Sequence, residues 1–350
     1  MHNKQETRQQ PAISIALCTY NGEKYLEEQL ESIKNQTLLP KELVVIDDNS
    51  QDRTLKILTA FKTKAPFEVI IISNEENQGL TENPWENFFR AVAQCKYDLV
   101  SFCDQDDVWH PSKLEALAKP LAENNDVFLS FCNATVTDEA LNPTRILYDV
   151  QKSKIFSIYN FELLSFLPLG FTQLFRKSLL SSSWEIRPRG IHFDRPMAHD
   201  EFVAFLALCH GKIAYCSQPL ALYRRHRNAH SISSPSPSEE KTEIASYRQE
   251  GKLEKYREVC KGRYIEKSKI YLNWYQYAKN HFSDPNSQES ADFLQQIYHV
   301  YQLKTEIYSE GSRLRKIKTL IQLLGTQYYL YFRSDMRLLS PFKDILFALV

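Results

Sequence analysis

The chain has 350 residues, of which 43% are hydrophobic and 25% are charged, close to the average for soluble globular proteins. This composition excludes global disorder, and the length predicts about two domains. Lys plus Arg equal Asp plus Glu at 43 each, and no run approaches the roughly 18 consecutive apolar residues of a membrane span, so neither a nucleic-acid partner nor a spanning helix is indicated.

The first third of the chain alternates strand-like and helix-like segments. Short apolar, β-branched runs predict buried strands at 13–18, 42–47, 68–73 and 98–103. Helical patterns follow them, after Gly22, near Asp52, after Pro84 and at 111–124. Regular alternation predicts an α/β fold with a mostly parallel sheet and helices on both faces. In such sheets, ligands bind beyond the carboxyl ends of the strands.

Polar side chains follow three of these predicted strands. Tyr20, after the first strand, can stack on a flat base, and Asp48, after the second, can accept a hydrogen bond from a ring N–H or a ribose hydroxyl. Asp104 and Asp106, after the fourth, can aim two carboxylates at one divalent cation that also binds phosphate oxygens. The sequence therefore predicts base, ribose and diphosphate subsites along one crevice.

The usual glycine-built phosphate cradles are absent from the sequence. None of the nine glycines lies in G-x-G-x-x-G or G-x-x-x-x-G-K order, so a phosphorylated ligand would have to be held by side chains and a metal. The seven cysteines form no C-x-x-C pair, and the polar start MHNKQETRQQP has no apolar segment of a secretory signal. We therefore expect reduced thiols and a cytoplasmic location.

The Ser/Pro run SISSPSPSEE at 231–240 predicts a linker between a first domain at 12–230 and a helical C-terminal region at 241–350. The C-terminal region is basic, with 18 Lys and Arg against 12 Asp and Glu. Its segment 313–328 predicts a basic amphipathic helix, with these apolar residues on one face: Leu314, Ile317, Leu320, Ile321, Leu324 and Tyr328. Such a helix suits a membrane surface with anionic lipid; packing on the first domain, or across a homo-oligomer, is the alternative.

The runs SIALCTYNGEKYLEEQLESIKNQT, ELVVIDDNSQDRT and DLVSFCDQDDVWHPSKL together resemble the nucleotide-binding half of family 2 glycosyltransferases, which have the GT-A fold. The resemblance covers about residues 12–230. It implies inverting transfer of a sugar from a nucleotide-diphosphate donor, with Mg²⁺ or Mn²⁺ as cofactor. The DQDD-x-W run and the later HDEF are similar to a bacterial rhamnosyltransferase branch. This implies dTDP-L-rhamnose as a candidate donor, and a saccharide or lipid-linked saccharide of surface polysaccharides such as O-antigen as acceptor.

The resemblance also implies residue roles. The nucleotide-sugar contacts it carries over are Thr19, Tyr20, Asn21, Asp48, Asp104, Gln105 and Trp109. Asp104 and Asp106 match the D-x-D metal pair, Asp106 as the more direct ligand, and Asp107 with Trp109 shapes the wall behind them. The segment 223–231 either places Arg224, His226 or Arg227 on the diphosphate or forms a solvated basic loop.

The family's general base is the Asp of an acidic pair that opens a helix after a Gly-containing acceptor segment. LGFTQLF at 169–175 matches that segment, and His199-Asp200-Glu201 matches the pair with a histidine in the first acidic position. Asp200 is the predicted base and Glu201 the reserve, because a sugar hydroxyl needs a proton acceptor before it can attack. The alternative is that Asp200 only caps the helix.

Other functions stay open at this point. A UDP-hexose or UDP-HexNAc transferase would use the same fold. A nucleotidyltransferase also uses paired carboxylates and a metal, but CTYNGEKY lacks its glycine-rich or basic triphosphate loop. A non-catalytic nucleotide- or glycan-binding module would keep the crevice without turnover. For the enzyme we expect a peripheral position at the inner face of the cell membrane.

Overall fold

Ten strands within the described residues form one mixed sheet, with eight α-helices around it. The computed structural model describes residues 10–74, 85–160, 167–180, 184–190, 195–227, 253–326, 344–345 and 348. The strands are β1 (Ile13–Thr19), β2 (Glu42–Asp47), β3 (Glu68–Ser73), β4 (Leu99–Cys103), β5 (Val108–Trp109), β6 (Val127–Thr137), β7 (Pro143–Ile146), β8 (Lys154–Ser157), β9 (Gln173–Arg176) and β10 (Lys212–Arg224). The helices are α1 (Leu26–Lys34), α2 (Thr54–Lys62), α3 (Trp85–Gln94), α4 (Lys113–Glu123), α5 (His199–His210), α6 (Leu253–His281), α7 (Pro285–Tyr308) and α8 (Arg313–Gly325).

The strand order across the sheet is β3-β2-β1-β4-β9-β6-β10-β5, with β7 beside β6 and β8 beside β10. The first four strands pair in parallel, and β6 and β10 run in the same direction. Strands β5, β7, β8 and β9 are antiparallel to their neighbours. The predicted mostly parallel sheet is therefore confirmed, and it places the ends of β1, β2 and β4 side by side.

Both faces of the sheet are buried, because alternate side chains of each central strand enter different cores. Ile15 and Leu17 of β1 pack with α1 and α4 on one face. Ala16 of β1 packs with α3 and α5 on the other face. Period-two alternation with apolar residues on both sides is what a covered parallel sheet requires.

The C-terminal helices pack on the sheet domain through α5. Trp274 of α6 lies with its ring centroid 5.4 Å from that of Phe205, and its indole N–H donates to the carbonyl oxygen of Arg189 at 2.7 Å. Ser290 of α7 donates to the carbonyl oxygen of Cys209 at 2.9 Å. Helix α8 then packs on α7. The predicted linker at 231–240 lies outside the described residues, so the domain boundaries stay a prediction.

Helix α8 divides the apolar face that the sequence predicts. Leu320 and Leu323 face the protein, whereas Leu314, Ile321 and Leu324 are exposed by 81%, 66% and 46%. Tyr328 lies outside the described residues. The apolar residues of α8 therefore fall into a buried set and an exposed set, because α7 covers only one side of the helix.

All seven cysteines are unpaired thiols, in agreement with the sequence prediction. Among the helices of the described ranges, none combines the length and the apolar character needed to cross a bilayer.

Candidate active site

Four residues between β4 and β5 form an acidic turn, Asp104 to Asp107. Asp104 and Asp106 are half-buried and Asp107 is fully buried. Burial, and then the neighbouring charges of Asp106 and Asp200, raise the pKa of Asp104 to about 7. The turn thus concentrates negative charge that only a nearby positive charge can offset at low cost.

Gln105, in the middle of the acidic turn, joins that turn to the end of β1. Its side-chain carbonyl accepts from the backbone N–H of Tyr20 at 2.9 Å, and its amide donates to the carbonyl oxygen of Tyr20 at 3.0 Å. A Cβ on Gly22 would lie 2.3 Å from the same carbonyl oxygen, so a larger residue there would displace the Gln105 amide from these hydrogen bonds. Gln105 therefore holds the backbone of Tyr20 in position through both of its hydrogen-bonding groups.

The ends of β1 and β2 are tied together by buried hydrogen bonds around Asp47. Thr19 donates to Asp47 at 2.8 Å, and the backbone N–H and hydroxyl of Ser50 donate to it at 3.0 and 2.6 Å. The side-chain Oδ1 of Asn21 accepts from the backbone N–H of Gln51 at 2.9 Å. Thr19 is 2% exposed, so its hydroxyl serves the strand ends, and a direct nucleotide contact stays a prediction.

Asp48 lies at the same edge of the sheet as the acidic turn. It is 4% exposed, its N–H donates to the carbonyl of Thr19 at 2.8 Å, and its carboxylate accepts from Asn74 at 3.0 Å. Burial, and then the charges of Asp104, Cys103 and Asp48, raise the pKa of the Cys18 thiol, so Cys18 lies near both acidic groups. The structure thus brings the predicted base-binding and metal-binding carboxylates to one edge of the sheet.

Asp200 approaches the acidic turn from the first turn of α5. Its carboxylate accepts from the backbone N–H of Gly170 at 3.1 Å and from that of Glu201 at 2.9 Å. Glu201 is fully buried, accepts from the N–H of Ala198 at 3.4 Å and lies 3.6 Å from Arg195. Asp200 is therefore the better placed of the two predicted bases, since Glu201 is occupied in holding the start of the helix.

The three cationic residues predicted for the diphosphate have different surroundings. Arg224 is 4% exposed; its Nε donates to the carbonyl of Asp106 at 2.9 Å, and its terminal nitrogens bind Glu139 and Glu28. Its guanidinium is therefore engaged within the protein. His226 lies with its Nε2 2.7 Å from a carboxylate oxygen of Asp106, and Arg227 is exposed. The last two stay candidates for contact with a diphosphate.

A buried lysine behind the acidic turn has no counterpart in the sequence prediction. The ammonium of Lys113 lies 3.0 Å from the ring centroid of Trp109, and both residues are at most 2% exposed. Within the described part of the chain, the ammonium has no hydrogen-bond partner, nor does one carboxylate oxygen of Asp107. Burial lowers the pKa of Lys113 to about 8. Its place on the apolar face of α4, one turn before Leu117, is the sequence signal that would have revealed it.

Trp109 itself lies in the core rather than in the crevice. Its ring packs among the apolar residues beneath α1 and α4. This burial favours the second of its predicted roles, a wall behind the acidic turn, while direct contact with a donor stays untested.

His199 stands beside Asp200 as an aromatic core residue. Its ring stacks on Phe88 at 4.0 Å and meets the edge of Phe102 at 4.6 Å, and among the described residues neither nitrogen has a hydrogen-bond partner. Its Nε2 would lie 2.6 Å from a Cβ on Gly170, so glycine lets the two segments meet. Burial lowers the pKa of His199 to about 4, which keeps the imidazole neutral near pH 7.

The acidic turn fits a divalent cation held jointly with a diphosphate. Two half-buried carboxylates are the number that Mg²⁺ or Mn²⁺ takes from a protein when phosphate oxygens complete the shell. Within the described ranges, no group of three or more His, Cys, Asp or Glu side chains could hold a metal by itself. Asp104 and Asp106 are therefore the described residues that could hold a cation together with phosphate oxygens.

The buried histidine gives a pH-dependent prediction. The pKa of His199 is about 4 in the folded protein and about 6.5 when exposed, so the unfolded chain takes up this proton first as the pH falls. We expect His199→Phe, which keeps the ring stacking, to gain about 3 kcal/mol in free energy of unfolding relative to the parent between pH 7 and pH 4. Urea unfolding at both pH values measures this gain. His110→Phe, at an exposed position, is the control, and a gain no larger than that of the control would contradict a buried neutral His199.

Comparison with known proteins agrees with this architecture. Residues 14–182 match the sequence model of Glycosyl transferase family 2. A dTDP-rhamnosyl transferase, RfbG, of Shigella flexneri is 34% identical over 112 residues, which are 31% of this chain and 38% of that protein. A putative glycosyltransferase, EpsH, of Bacillus subtilis is 26% identical over 62% of this chain and 61% of its own length. The matched segments thus span less than two thirds of either relative.

Among solved structures, Staphylococcus aureus TarS 1–349 in complex with UDP-GlcNAc superposes with a TM-score of 0.54 at 20% identity, over 96% of this chain and 89% of that one. At this identity the likeness concerns the fold, which is shared from the first strand to the C-terminal helices. Residues 14–182, just under half of the chain, therefore match glycosyl transferase family 2, and the chain has the GT-A fold.

Proposed function

We propose that the protein is an inverting, metal-dependent glycosyltransferase that uses a nucleotide-diphosphate sugar. This proposal rests on the position of the acidic turn relative to Asp200, which lies on a separate element. The acidic turn follows β4, and Asp200 opens α5 close enough for its charge to raise the pKa of Asp104. One group suits a cation and a leaving diphosphate, and the other suits a proton acceptor.

In the proposed reaction, Asp200 takes the proton of an acceptor hydroxyl while that oxygen attacks the anomeric carbon. The new C–O bond forms as the bond to the diphosphate breaks, and the nucleoside diphosphate leaves with the electron pair. The hydrogen bonds from the backbone N–H groups of Gly170 and Glu201 orient the Asp200 carboxylate. A cation on Asp104 and Asp106 would stabilise the charge of the leaving diphosphate.

For the donor, we propose a nucleotide-sugar whose base stacks on Tyr20 and whose base or ribose binds Asp48. dTDP-L-rhamnose is the first candidate, because a relative at 34% identity in the matched segment is named a dTDP-rhamnosyl transferase. UDP-sugars are the second candidate, because TarS, which shares the fold, was solved with UDP-GlcNAc. For the acceptor, we propose a saccharide or lipid-linked saccharide of a bacterial surface polysaccharide.

The assignment of the base predicts that Asp200→Asn keeps donor binding and loses turnover. A missing general base costs roughly 10²- to 10⁴-fold in rate, whereas the metal and base subsites are unchanged. Nucleotide release during sugar transfer measures the rate, and calorimetric titration measures donor binding. Glu201→Gln is the matched variant and should retain the rate if it folds. Full activity of Asp200→Asn would contradict this role, and a chain without turnover under any donor would indicate a binding module.

The metal assignment predicts that Asp106→Asn loses the metal-dependent part of donor binding. A donor at 100 times its dissociation constant stabilises the folded protein by about 2.7 kcal/mol, and we expect this to require Mg²⁺ or Mn²⁺ in the parent protein. Thermal unfolding with each candidate nucleotide-sugar, with metal and with chelator, measures the effect and identifies the donor. Asp149→Asn, an exposed acidic position, is the control. Equal stabilisation with chelator would overturn metal dependence.

We also propose that the protein lies at the cytoplasmic surface of a membrane through α8. The exposed apolar residues Leu314, Ile321 and Leu324 recur at intervals of seven and three residues, which places them along one side of the helix. Arg313 and Lys318 are exposed on the same helix. An apolar stripe with cations beside it is suited to an interface that contains anionic lipid.

Membrane contact through α8 predicts that the double variant Leu314→Gln, Ile321→Gln floats less with anionic liposomes than the parent protein. Both side chains are already exposed, so the substitutions should leave the free energy of unfolding nearly unchanged while they remove apolar area from the contact. Ile186→Gln, at a position 60% exposed outside α8, is the control. Equal flotation of all three proteins would refute the membrane role.

A further inference from the structure

Tyr25, the residue before α1, contacts side chains that follow two distant strands. Its hydroxyl donates to Glu139, in the turn after β6, at 2.9 Å. Its ring centroid lies 4.6 Å from the guanidinium carbon of Arg224 and 4.8 Å from the ring centroid of His226. Tyr25 is only half-buried, so burial in the apolar core does not account for these contacts. The Tyr25 side chain therefore joins the start of α1 to the ends of β6 and β10.

Two of these partners hold Asp106 of the acidic turn at different atoms. The Nε of Arg224 donates to the backbone carbonyl oxygen of Asp106 at 2.9 Å. The Nε2 of His226 lies 2.7 Å from the Oδ2 atom of the Asp106 carboxylate. Tyr25 thus contacts both the residue that holds the backbone of Asp106 and the residue that holds its side chain. Because the contact with His226 uses Oδ2, the carboxylate keeps Oδ1 for a cation.

The two partners of Asp106 differ in their other support. Arg224 is the last residue of β10, is 4% exposed, and binds Glu28 and Glu139 through its terminal nitrogens. His226 lies two residues beyond the end of β10, and among the described residues its ring contacts Tyr25 and Asp106. Tilted aromatic rings at this spacing attract each other. The orientation of the His226 ring therefore depends on Tyr25, whereas Arg224 has further partners.

We propose that Tyr25 is a positioning residue for the cation site: it orients His226, which in turn holds the carboxylate of Asp106 in place. This inference rests on the proposed metal-dependent sugar transfer and adds to it a residue that acts through its neighbours. Groups that orient metal ligands contribute to metal affinity because the ligand is then ordered before the metal binds. Loss of the Tyr25 ring should therefore weaken binding of the cation more than binding of the nucleotide.

Mn²⁺ with a nucleoside diphosphate, dTDP or UDP, tests this role in the full chain without turnover. The measured quantity is the Mn²⁺ concentration that gives half of the nucleotide-dependent rise in the midpoint of thermal unfolding. We expect Tyr25→Ala to raise this concentration about tenfold, while calorimetric affinity for the nucleotide at saturating Mn²⁺ stays within about twofold of the parent. Tyr25→Phe keeps the ring and should behave like the parent. Tyr97→Ala removes a half-buried tyrosine before the amino end of β4 and is the matched control.

A double-mutant cycle distinguishes positioning through His226 from a general loss of packing. His226→Ala alone should raise the required Mn²⁺ concentration by a similar factor, and Tyr25→Ala should then add less than about twofold. The His226 variant also tests the proposal if Tyr25→Ala does not fold. An unchanged or lower Mn²⁺ requirement in His226→Ala, or an equal effect of Tyr25→Ala with and without His226, would overturn the positioning role.

The parent protein separates this failure from failure of the proposed function. Stabilisation of the parent by dTDP or UDP that requires Mn²⁺, combined with unchanged variants, would overturn the role of Tyr25 alone. A parent that neither nucleotide stabilises in the presence of Mn²⁺, or that is stabilised equally with chelator, would overturn the metal-dependent transfer and this role with it.

Discussion

The confinement of negative charge at the carboxyl ends of β1, β2 and β4 is the constraint on which the rest of the site depends. The parallel register of these strands places Asp48, the acidic turn and the backbone around Tyr20 at one edge of the sheet. Asp200 adds a further carboxylate from α5, and the pKa of Asp104 records the resulting repulsion and burial. An arrangement of this kind is unfavourable in an isolated protein, and the proposed binding of a cation together with a diphosphate would relieve the repulsion.

Several residues of the site are held in place by hydrogen bonds to backbone groups. Gln105 binds the backbone of Tyr20 through both ends of its amide, and Gly170 donates its N–H to Asp200. Near these contacts lie the polar groups of Lys113 and His199, which are buried and have no hydrogen-bond partner among the described residues. Buried polar groups without partners lower the free energy of unfolding, and they are expected mainly at functional sites.

The C-terminal helices belong to the same packed body as the candidate site. The α6–α7–α8 layer is anchored on α5 through Trp274 and Ser290, and Asp200 lies in the first turn of α5. One helix therefore positions the proposed base and also supports the C-terminal layer.

The sequence by itself determined the alternation of strands and helices, the mostly parallel sheet and the acidic residues at the strand ends, because these depend on local periodicity and on the direction of parallel strands. Only the tertiary structure decided which of the predicted site residues are buried or already engaged by contacts within the protein. Arg224 is engaged by Glu28 and Glu139, Glu201 by the start of α5, and Trp109 lies in the core beneath Lys113. The division of α8 into a packed and an exposed face was likewise beyond the sequence. Burial and pairing depend on residues that are distant along the chain, and the local sequence pattern does not show which of these residues come into contact.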